Sequence, residues 1–312
     1  MKLLIVCSIN SGRIAPFIQE QELAIASHGV ETDYFLVKQK GILGYLNERK
    51  NLISKIKSFQ PDIIHAHYGL SGLLANLQRN VPVVTTYHGS DINNASVFPF
   101  SLLCMILSAH NIFVSQKNRL KAKGFLEIVS KKNGISSLIP CGTDINLFLP
   151  IDKLQARNEL GLNSNEKLVL FAGAFNNTVK NPELAKAAMA LLPDIKLFEL
   201  SRYSREEVVL LMNAVDAVLM TSFTEGSPQF IKEAMACNCP IVSVPVGDVP
   251  DVIDNIEGCF LTTYNENDIA LDIRKAIMFN NKTFGRKKII ELGLDAESVV
   301  KKILDVYLKC IN

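Results

Sequence analysis

The sequence predicts an α/β protein made of two Rossmann-like, doubly wound domains. Short apolar runs rich in β-branched residues alternate with helical stretches along the chain, which is typical of parallel sheets covered by helices. A chain of 312 residues is also too long for one ordinary domain. Because the series of strands starts again after a polar joint, we expect two domains that face each other across a cleft.

In the first half, the apolar runs predict strands with helices between them. The predicted strands are Lys2–Cys7, Glu31–Leu36, Ile63–His67, Val83–Tyr87, Asn111–Val114 and Ser136–Ile139. The predicted helices include Pro16–His28, Leu43–Gln60, Leu70–Asn80 and Gln116–Lys123. These elements predict a first domain at residues 1–147.

A second series of strands predicts a second domain at residues 148–312. The joint lies near residues 140–150, where Pro, Gly and Asp gather. The predicted strands are Leu168–Ala172, Lys196–Leu200, Ala217–Thr221, Ile241–Val244 and Gly258–Leu261. The amphipathic helix Asp295–Cys310 either belongs to this core or crosses back to the first domain.

Charge and cysteine content limit the function classes. The formal net charge is +2 and the Lys and Arg residues are scattered, so we expect no nucleic-acid partner. The seven cysteines form no CxxC pair, which suits a reducing cytoplasm. The sequence shows no secretion signal and no apolar run of about 18 residues, although contact with a membrane surface stays open.

The segment Thr221–Cys237 is the strongest candidate site, because it joins a predicted strand to a predicted helix. Pro228 suits the first helical turn, so Gly226–Ser227 would present amides to a diphosphate at the positive end of the helix. The carboxylates of Glu225 and Glu233 suit the hydroxyl pairs of a nucleotide sugar. The alternative is that Glu225 complements the helix dipole and that Glu233 is a solvated helix residue.

The E-x7-E spacing of Glu225 and Glu233 resembles the donor signature of retaining glycosyltransferase family 4, which has the GT-B fold. Other stretches match this family in the same order, and they are Pro61–His67, Thr86–Asp91, Ile139–Asp144 and Pro245–Pro250. The resemblance covers nearly the whole chain. It implies that Glu233 binds the donor ribose and that Glu225 binds the transferred sugar as a catalytic residue. It also implies that the diphosphate meets the backbone of Gly226, Ser227, Pro228 and Gln229.

Lys180 lies in the loop between a predicted strand and the helix that begins at Pro182. Its ammonium would neutralise charge on a departing nucleotide diphosphate, whereas the alternative is a solvated loop lysine. The family usually pairs this lysine with an arginine, but Ala174 occupies that position. Arg13 and Arg202 are the candidates to replace it, and Arg202 also lies in the loop that would meet the donor base.

In the first domain, the stretch Ser11-Gly12-Arg13 follows the first strand. The absence of a G-x-G-x-x-G pattern there argues against a dinucleotide cofactor. Only Gly12 matches the glycine-rich turn of the family, which assigns Gly12 to the donor and Arg13 to the acceptor side. His88 corresponds to the family's histidine beside the donor sugar and is assigned to catalysis. The alternative is a histidine that caps its own turn.

His65 and His67 form an H-x-H pair on one face of a predicted strand. No further Asp, Glu or Cys in the sequence completes a ligand set, so we expect no metal site. His67 and Asp91 are instead assigned to the acceptor side of the cleft.

The resemblance implies metal-independent transfer of a sugar, with retention of configuration, from a UDP- or GDP-linked donor and without a cofactor. The implied acceptor is a glycan or a lipid-linked glycan in surface polysaccharide biosynthesis, at the cytoplasmic face of the inner membrane. Two alternatives stay open: a partner protein that binds a nucleotide sugar without transfer, and a nucleotide-sugar epimerase of the same fold. A nicotinamide oxidoreductase is disfavoured by the loop after the first strand.

Overall fold

The computed structural model describes residues 1–9, 12–129 and 136–311, and the chain forms two compact units. The first unit is Met1–Gly142 together with Ala296–Asn312, and the second unit is Thr143–Asp295. Each unit contains a parallel sheet with helices, so the predicted α/β class is confirmed. The sequence-based division placed the boundary after residue 147 and left open whether the last helix packs back on the first domain, and the structure groups that helix with the first unit.

The elements alternate between strands and helices in both units. In the described part of the first unit they are β1 (Lys2–Ser8), α1 (Pro16–Ala26), β2 (Glu31–Val37), α2 (Gly41–Asn47), α3 (Arg49–Phe59), β3 (Ile63–His67), α4 (Gly69–Asn76), β4 (Val83–Tyr87), α5 (Ser90–Asn93), α6 (Phe98–Leu107), β5 (His110–Phe113), α7 (Gln116–Val129) and β6 (Ser136–Leu138). In the second unit they are α8 (Lys153–Glu159), β7 (Lys167–Phe171), α9 (Pro182–Ala190), β8 (Ile195–Glu199), α10 (Arg205–Ala214), β9 (Ala217–Met220), α11 (Gln229–Ala236), β10 (Ile241–Ser243), α12 (Val249–Ile253), β11 (Cys259–Leu261), α13 (Glu266–Phe279) and α14 (Gly285–Glu291). The last helix, α15 (Ala296–Ile311), belongs to the first unit.

The predicted helix Leu43–Gln60 is in fact two helices, α2 and α3, which meet at Glu48. The Glu48 amide donates to the Tyr45 carbonyl, three residues earlier, at 3.1 Å. This 3₁₀-type hydrogen bond ends α2. The Glu48 carboxylate accepts a hydrogen bond of 2.7 Å from Asn51 in the first turn of α3. Tyr45, in the last turn of α2, is buried and borders the cavity described below.

The two sheets share one topology. The strand order is β2-β1-β3-β4-β5-β6 in the first unit and β11-β10-β9-β7-β8 in the second, and neighbouring strands pair in parallel. In each sheet the chain adds its second strand on one side of the first strand and its third strand on the other. Ligands of such sheets bind beyond the carboxyl ends of the strands at this switch point. The structure therefore places candidate sites between the ends of β1 and β3 and between the ends of β7 and β9.

The helix α15 packs on the core of the first unit through one face. Val299, Ile303 and Tyr307 recur every four residues and are buried with Leu3 and other strand residues. The Tyr307 hydroxyl also reaches the Nδ1 atom of a strand histidine, His65, at 2.5 Å. This helix therefore completes the hydrophobic core of the first unit.

Candidate functional site

Two loops meet at the switch point of the second unit, one after β7 and one after β9. The Thr221 hydroxyl donates to the Lys180 carbonyl at 3.0 Å, and the Phe223 amide donates to the Val179 carbonyl at 3.0 Å. These hydrogen bonds join the two loops. Residues that are distant in the sequence thus lie together at the carboxyl edge of the sheet.

Lys180 and Glu225 form an ion pair in these loops. The Lys180 Nζ atom lies 2.6 Å from Glu225 Oε1, and the two side chains are 24% and 16% exposed. A Cβ atom at Gly173 would lie 3.0 Å from Lys180 Cγ, so the lysine side chain runs close over Gly173. Two of the predicted catalytic residues are therefore in direct contact.

The loop that carries Glu225 packs closely on a second loop after β10. Gly247 has a φ angle of +61°, and a Cβ atom there would lie 2.6 Å from the Gly226 carbonyl oxygen. The Ser227 hydroxyl donates to the Asp248 carboxylate in the same contact. The two loops are thus joined by the close approach at Gly247 and by the Ser227–Asp248 hydrogen bond.

Asp248 is an acid that sequence reasoning did not select. Burial raises its pKa, while the charge of the fully buried Lys232 and the hydrogen bond from Ser227 oppose this shift. Lys232 lies in α11, the helix that carries Glu233. The acid therefore links the loop after β10 to the loop and helix of the predicted donor site.

The helix α11 begins at Gln229, one residue later than predicted. Pro228 is the N-cap residue, with φ −70° and ψ 119°, because a cap residue takes extended rather than helical backbone angles. Pro228 itself makes no side-chain cap hydrogen bond to this helix. Because the first amides of a helix have no partner within the helix, this end can bind an anion.

Glu233 is 6% exposed in its side chain and forms an ion pair with Arg205. The Arg205 Nη2 atom lies 2.6 Å from Glu233 Oε1, and the guanidinium group lies 4.8 Å from the centroid of the Phe148 ring. Sequence reasoning missed Arg205. It follows Ser204, which caps α10 in a capping box with Glu207, so the local sequence fixes the start of that helix but not its contact with Glu233.

The other positions considered for contact with the donor diphosphate are exposed or partly exposed. Arg202 is exposed with a φ angle of 66°, and the described residues include no ion-pair partner for it. Ala174 is partly exposed and uncharged. In the first unit, the Gly12 amide donates to the Ile9 carbonyl at 2.8 Å, and Arg13 is exposed. Ser11 lies outside the described residues. The role of Arg13 or Arg202 as a replacement arginine stays a prediction.

The first unit brings three histidines together at the ends of β3 and β4. His67 Nδ1 lies 3.0 Å from His88 Nε2, so one of these nitrogens donates and the other accepts. His88 Nδ1 lies 3.7 Å from Cys141 Sγ, and its ring packs between Phe17 and Tyr68. The predicted residues His67 and His88 therefore act as one hydrogen-bonded pair.

The third histidine, His65, has protein partners for both ring nitrogens, Tyr307 and Thr86. Burial lowers its pKa to about 3. Burial also lowers the pKa of His67, and the charges of His65 and His88 add to this effect. Both rings are therefore neutral at physiological pH, and His65 has a structural role in the core.

Asp91 connects the loops after β3 and β4. Its Oδ1 atom accepts hydrogen bonds from the amides of His88 and Gly89, and its Oδ2 atom accepts one from Gly69. Burial raises its pKa to about 6, although these hydrogen bonds oppose the shift. Asp91 therefore holds the loop geometry around His88.

A cavity of about 350 Å³ lies beside Asp91 at the switch point of the first unit. It is bordered by Ser8 at the end of β1, by Tyr68 after β3 and by Ser90 after β4. Tyr68 has a φ angle of 73°, which is rare for an aromatic residue and indicates a constrained backbone at this site. The cavity thus lies where ligands of doubly wound sheets bind.

Two doubly wound units of this kind define the GT-B class of glycosyltransferase folds. Residues 14–146 match the family Glycosyltransferase Family 4, and residues 150–278 match Glycosyl transferases group 1. The two matched segments follow one another along the chain, and residues 1–13, 147–149 and 279–312 lie outside them. The predicted resemblance to glycosyltransferase family 4 is confirmed for residues 14–146, and retention of configuration stays a prediction.

Solved structures with the same fold cover the whole chain. Sucrose-phosphate synthase from Thermosynechococcus elongatus has a TM-score of 0.83 at 18% identity, over 99% of this chain and 98% of that chain. HepE from Anabaena, solved in complex with UDP and glucose, has a TM-score of 0.72 at 17% identity, over 99% of this chain and 100% of that chain. At these identities the likeness shows the fold.

A curated relative is the D-inositol 3-phosphate glycosyltransferase of Mycobacterium sp. (strain KMS), which is 28% identical over 271 residues. The match covers 73% of this chain and 62% of the relative, so the chain spans about six tenths of the relative's length. Among the described residues, no helix combines the length and the apolar character that crossing a membrane requires.

Proposed function

We propose that the chain is a glycosyltransferase whose second unit binds a nucleotide-sugar donor. The observation that carries this proposal is the ion pair of Lys180 and Glu225 at the switch point, beside the start of the helix that contains Glu233. A cation, a helix N-terminus and two carboxylates in one place match the diphosphate and the two diols of such a donor.

In the proposed reaction, the bond between the anomeric carbon and the diphosphate oxygen breaks. A bond from that carbon to an acceptor hydroxyl oxygen forms, and the hydroxyl proton is released. Negative charge then grows on the leaving diphosphate, where the Lys180 ammonium and the first amides of α11 stabilise it. When the donor binds, the Lys180 ammonium leaves Glu225 and pairs with the diphosphate. The Glu225 carboxylate is then available to the hydroxyls of the transferred sugar. We include retention of configuration and independence from metals in the proposal.

Glu233 would accept hydrogen bonds from the ribose hydroxyls of the donor, and Arg205 would hold its carboxylate in place. A carboxylate fixed before binding loses less conformational freedom when the ligand arrives. The solved complexes of HepE with UDP and with UDP-glucose support a UDP-linked donor over a GDP-linked one.

For the acceptor we propose a glycan or lipid-linked glycan in surface polysaccharide biosynthesis, bound by the first unit at the cytoplasmic face of the inner membrane. Exposed apolar side chains on α7, Leu120 and Phe125, lie beside the exposed Lys117 and Lys121, which supports contact with an anionic lipid surface. The name of the curated relatives, D-inositol 3-phosphate glycosyltransferase, makes a phosphorylated polyol the competing class of acceptor. Cosedimentation with anionic and neutral vesicles tests the membrane contact.

The decisive experiment is a panel of UDP- and GDP-sugars, with nucleotide diphosphate release measured in the presence and absence of candidate acceptors. We expect release that requires an acceptor and that persists in EDTA. Glu233→Ala should weaken donor binding about tenfold or more, because hydrogen bonds to a charged group are lost. The control is Glu257→Ala, which removes an exposed glutamate of the same unit. Unchanged donor affinity in Glu233→Ala would show that the ribose assignment is wrong.

A second candidate function is binding of a nucleotide sugar without transfer. The uncharged Ala174 favours this second function, because the diphosphate site then lacks one of the cations that would stabilise the leaving group during transfer. Donor binding without turnover on any acceptor of the panel would support this alternative. Turnover would exclude it.

A further inference from the structure

We infer that the cavity at the switch point of the first unit binds an uncharged sugar ring of the acceptor. This inference rests on the proposed function and names the chemical class that the acceptor site takes. The cavity volume of about 350 Å³ is at the lower end for ligand pockets, which suits a single ring. Its position beyond the ends of β1, β3 and β4 is the position at which this topology binds ligands.

Apart from the Asp91 carboxylate, the polar side chains around the cavity are neutral, and several have unused hydrogen-bonding capacity. Among the described residues, the hydroxyls of Tyr45, Tyr68 and Ser90 have no hydrogen-bond partner. Asn94 Oδ1 accepts from the amide and the hydroxyl of Ser96, which leaves the Asn94 side-chain amide as a donor. Hydroxyls both donate and accept, so this set matches the hydroxyl groups of a sugar.

The remaining wall is apolar and aromatic. Ile18, Leu70 and Val97 provide aliphatic surface, and Tyr45 and Tyr68 provide aromatic rings. The Tyr68 ring is held against His88, with a centroid distance of 4.6 Å. Such a wall suits the C–H face of a pyranose, since ligand sites combine apolar contact with a few oriented polar groups.

The charge of the lining argues against a phosphorylated ring. The acid at the cavity is Asp91, and the described lining residues include no Lys or Arg. The Asp91 carboxylate is already bound by three backbone amides. A phosphate in this space would lie beside the Asp91 carboxylate, and none of the described lining residues is a Lys or Arg that would balance the two negative charges. The exposed Arg13, on the loop before the lining residue Ala15, is the cation that a phosphorylated ligand would need to recruit.

The test compares binding of methyl hexopyranosides with that of matched hexose 6-phosphates, by saturation-transfer NMR on the full chain without donor. We expect saturation transfer to the neutral glycosides and at least about tenfold weaker binding of the phosphates. Asn94→Ala and Tyr45→Phe should each weaken the neutral ligand several-fold. Tyr264→Phe, in the second unit, is the matched control, and thermal unfolding of each variant checks that it is folded.

Three outcomes would overturn the inference: tighter binding of the phosphates with loss of that binding in Arg13→Ala, no transfer to any neutral glycoside, or neutral binding unaffected by Asn94→Ala and Tyr45→Phe. These outcomes are distinct from failure of the proposed function, which is measured by donor binding and nucleotide release. Turnover with phosphorylated acceptors alone would keep the glycosyltransferase proposal and remove this inference.

Discussion

Lys180 Nζ lies 2.6 Å from Glu225 Oε1, although the two residues follow different strands and are 45 positions apart. The pair occupies the switch point between β7 and β9, where the proposed donor diphosphate would bind. Without donor, the Lys180 ammonium and the Glu225 carboxylate balance each other's charge. With donor, both side chains would gain a ligand partner in place of their mutual contact.

Lys180→Met should lower kcat by about 100- to 1000-fold, the usual effect of removing one group that stabilises charge in a transition state. The methionine side chain is unbranched and of similar length, one atom shorter than lysine, but carries no charge. The matched control is Lys186→Met, which removes an exposed lysine paired with Glu183 in the next helix. Steady-state kinetics with the preferred donor is the measurement. Equal kcat values for the two variants would show that Lys180 is a solvated loop lysine with no role in the reaction.

Arg205→Ala should lower the free energy of unfolding by about 1–3 kcal/mol, because it leaves the nearly buried Glu233 carboxylate without its ion-pair partner. Glu233→Gln should reduce that loss, since the neutral amide needs no cation. Urea denaturation of the two single variants and the double variant gives the coupling energy directly. Arg202→Ala is the control, because this exposed arginine has no ion-pair partner among the described residues. A coupling energy near zero would show that the Arg205 contact does not position Glu233.

The contrast between Lys180 and Arg205 shows what the sequence can predict here. Glu225 and Glu233 lie on one contiguous loop and helix, and Lys180 follows a clear strand, so local patterns identify them. Arg205 contacts Glu233 across 28 positions of chain, and nothing in its own segment indicates that contact. The boundary of α2 at Glu48 was missed for a similar reason, because side-chain and cap hydrogen bonds broke a continuous helical pattern.

The cavity of the first unit also could not be predicted from the sequence. Its lining combines Tyr45 from α2 with residues that follow three separate strands, and only the sheet order brings them together. The pairing of His67 with His88 depends on the parallel register of β3 and β4 in the same way. Strand existence and sheet class follow from the hydrophobic pattern, whereas contacts between loops follow from the order of the strands.

The free energy of unfolding should fall as the pH falls below 6.5, and His65 should account for part of that fall. Its pKa is lowered from 6.5 to about 3 by burial, so the unfolded chain binds more protons than the folded chain between these values. The stability of the neutral, buried ring is therefore present above pH 6.5 and is lost towards pH 3, at about 1.4 kcal/mol per pH unit for one proton. Urea denaturation at several pH values between 7.5 and 5 measures this slope.

His65→Gln should flatten that slope by about one proton, because glutamine does not titrate. Asp91, whose pKa is raised to about 6, contributes with the opposite sign below pH 6, but it is present in both proteins and cancels in the comparison. His28→Gln is the control: a hydrogen bond to the Ala24 carbonyl raises the pKa of this exposed histidine, so its loss should not flatten the slope. Identical slopes for wild type and His65→Gln would contradict the assignment of a neutral, buried His65.

Gly247→Ala should weaken donor binding by about tenfold, because the new methyl group would meet the backbone that carries Glu225. The Cβ position lies 2.6 Å from the Gly226 carbonyl oxygen and 3.3 Å from Glu225 Cβ, so the loop has to move. Gly161→Ala is a matched control, since Gly161 has a φ angle of +65° against +61° for Gly247 but no atom within 4 Å of its Cβ position.

Both variants should lose about 1 kcal/mol of stability from the left-handed backbone, and Gly247→Ala should lose about 1–3 kcal/mol more from the clash. Urea denaturation and calorimetric titration with the donor separate the two effects. Equal stability losses with unchanged donor affinity would mean that the close contact with Gly247 does not set the position of Glu225.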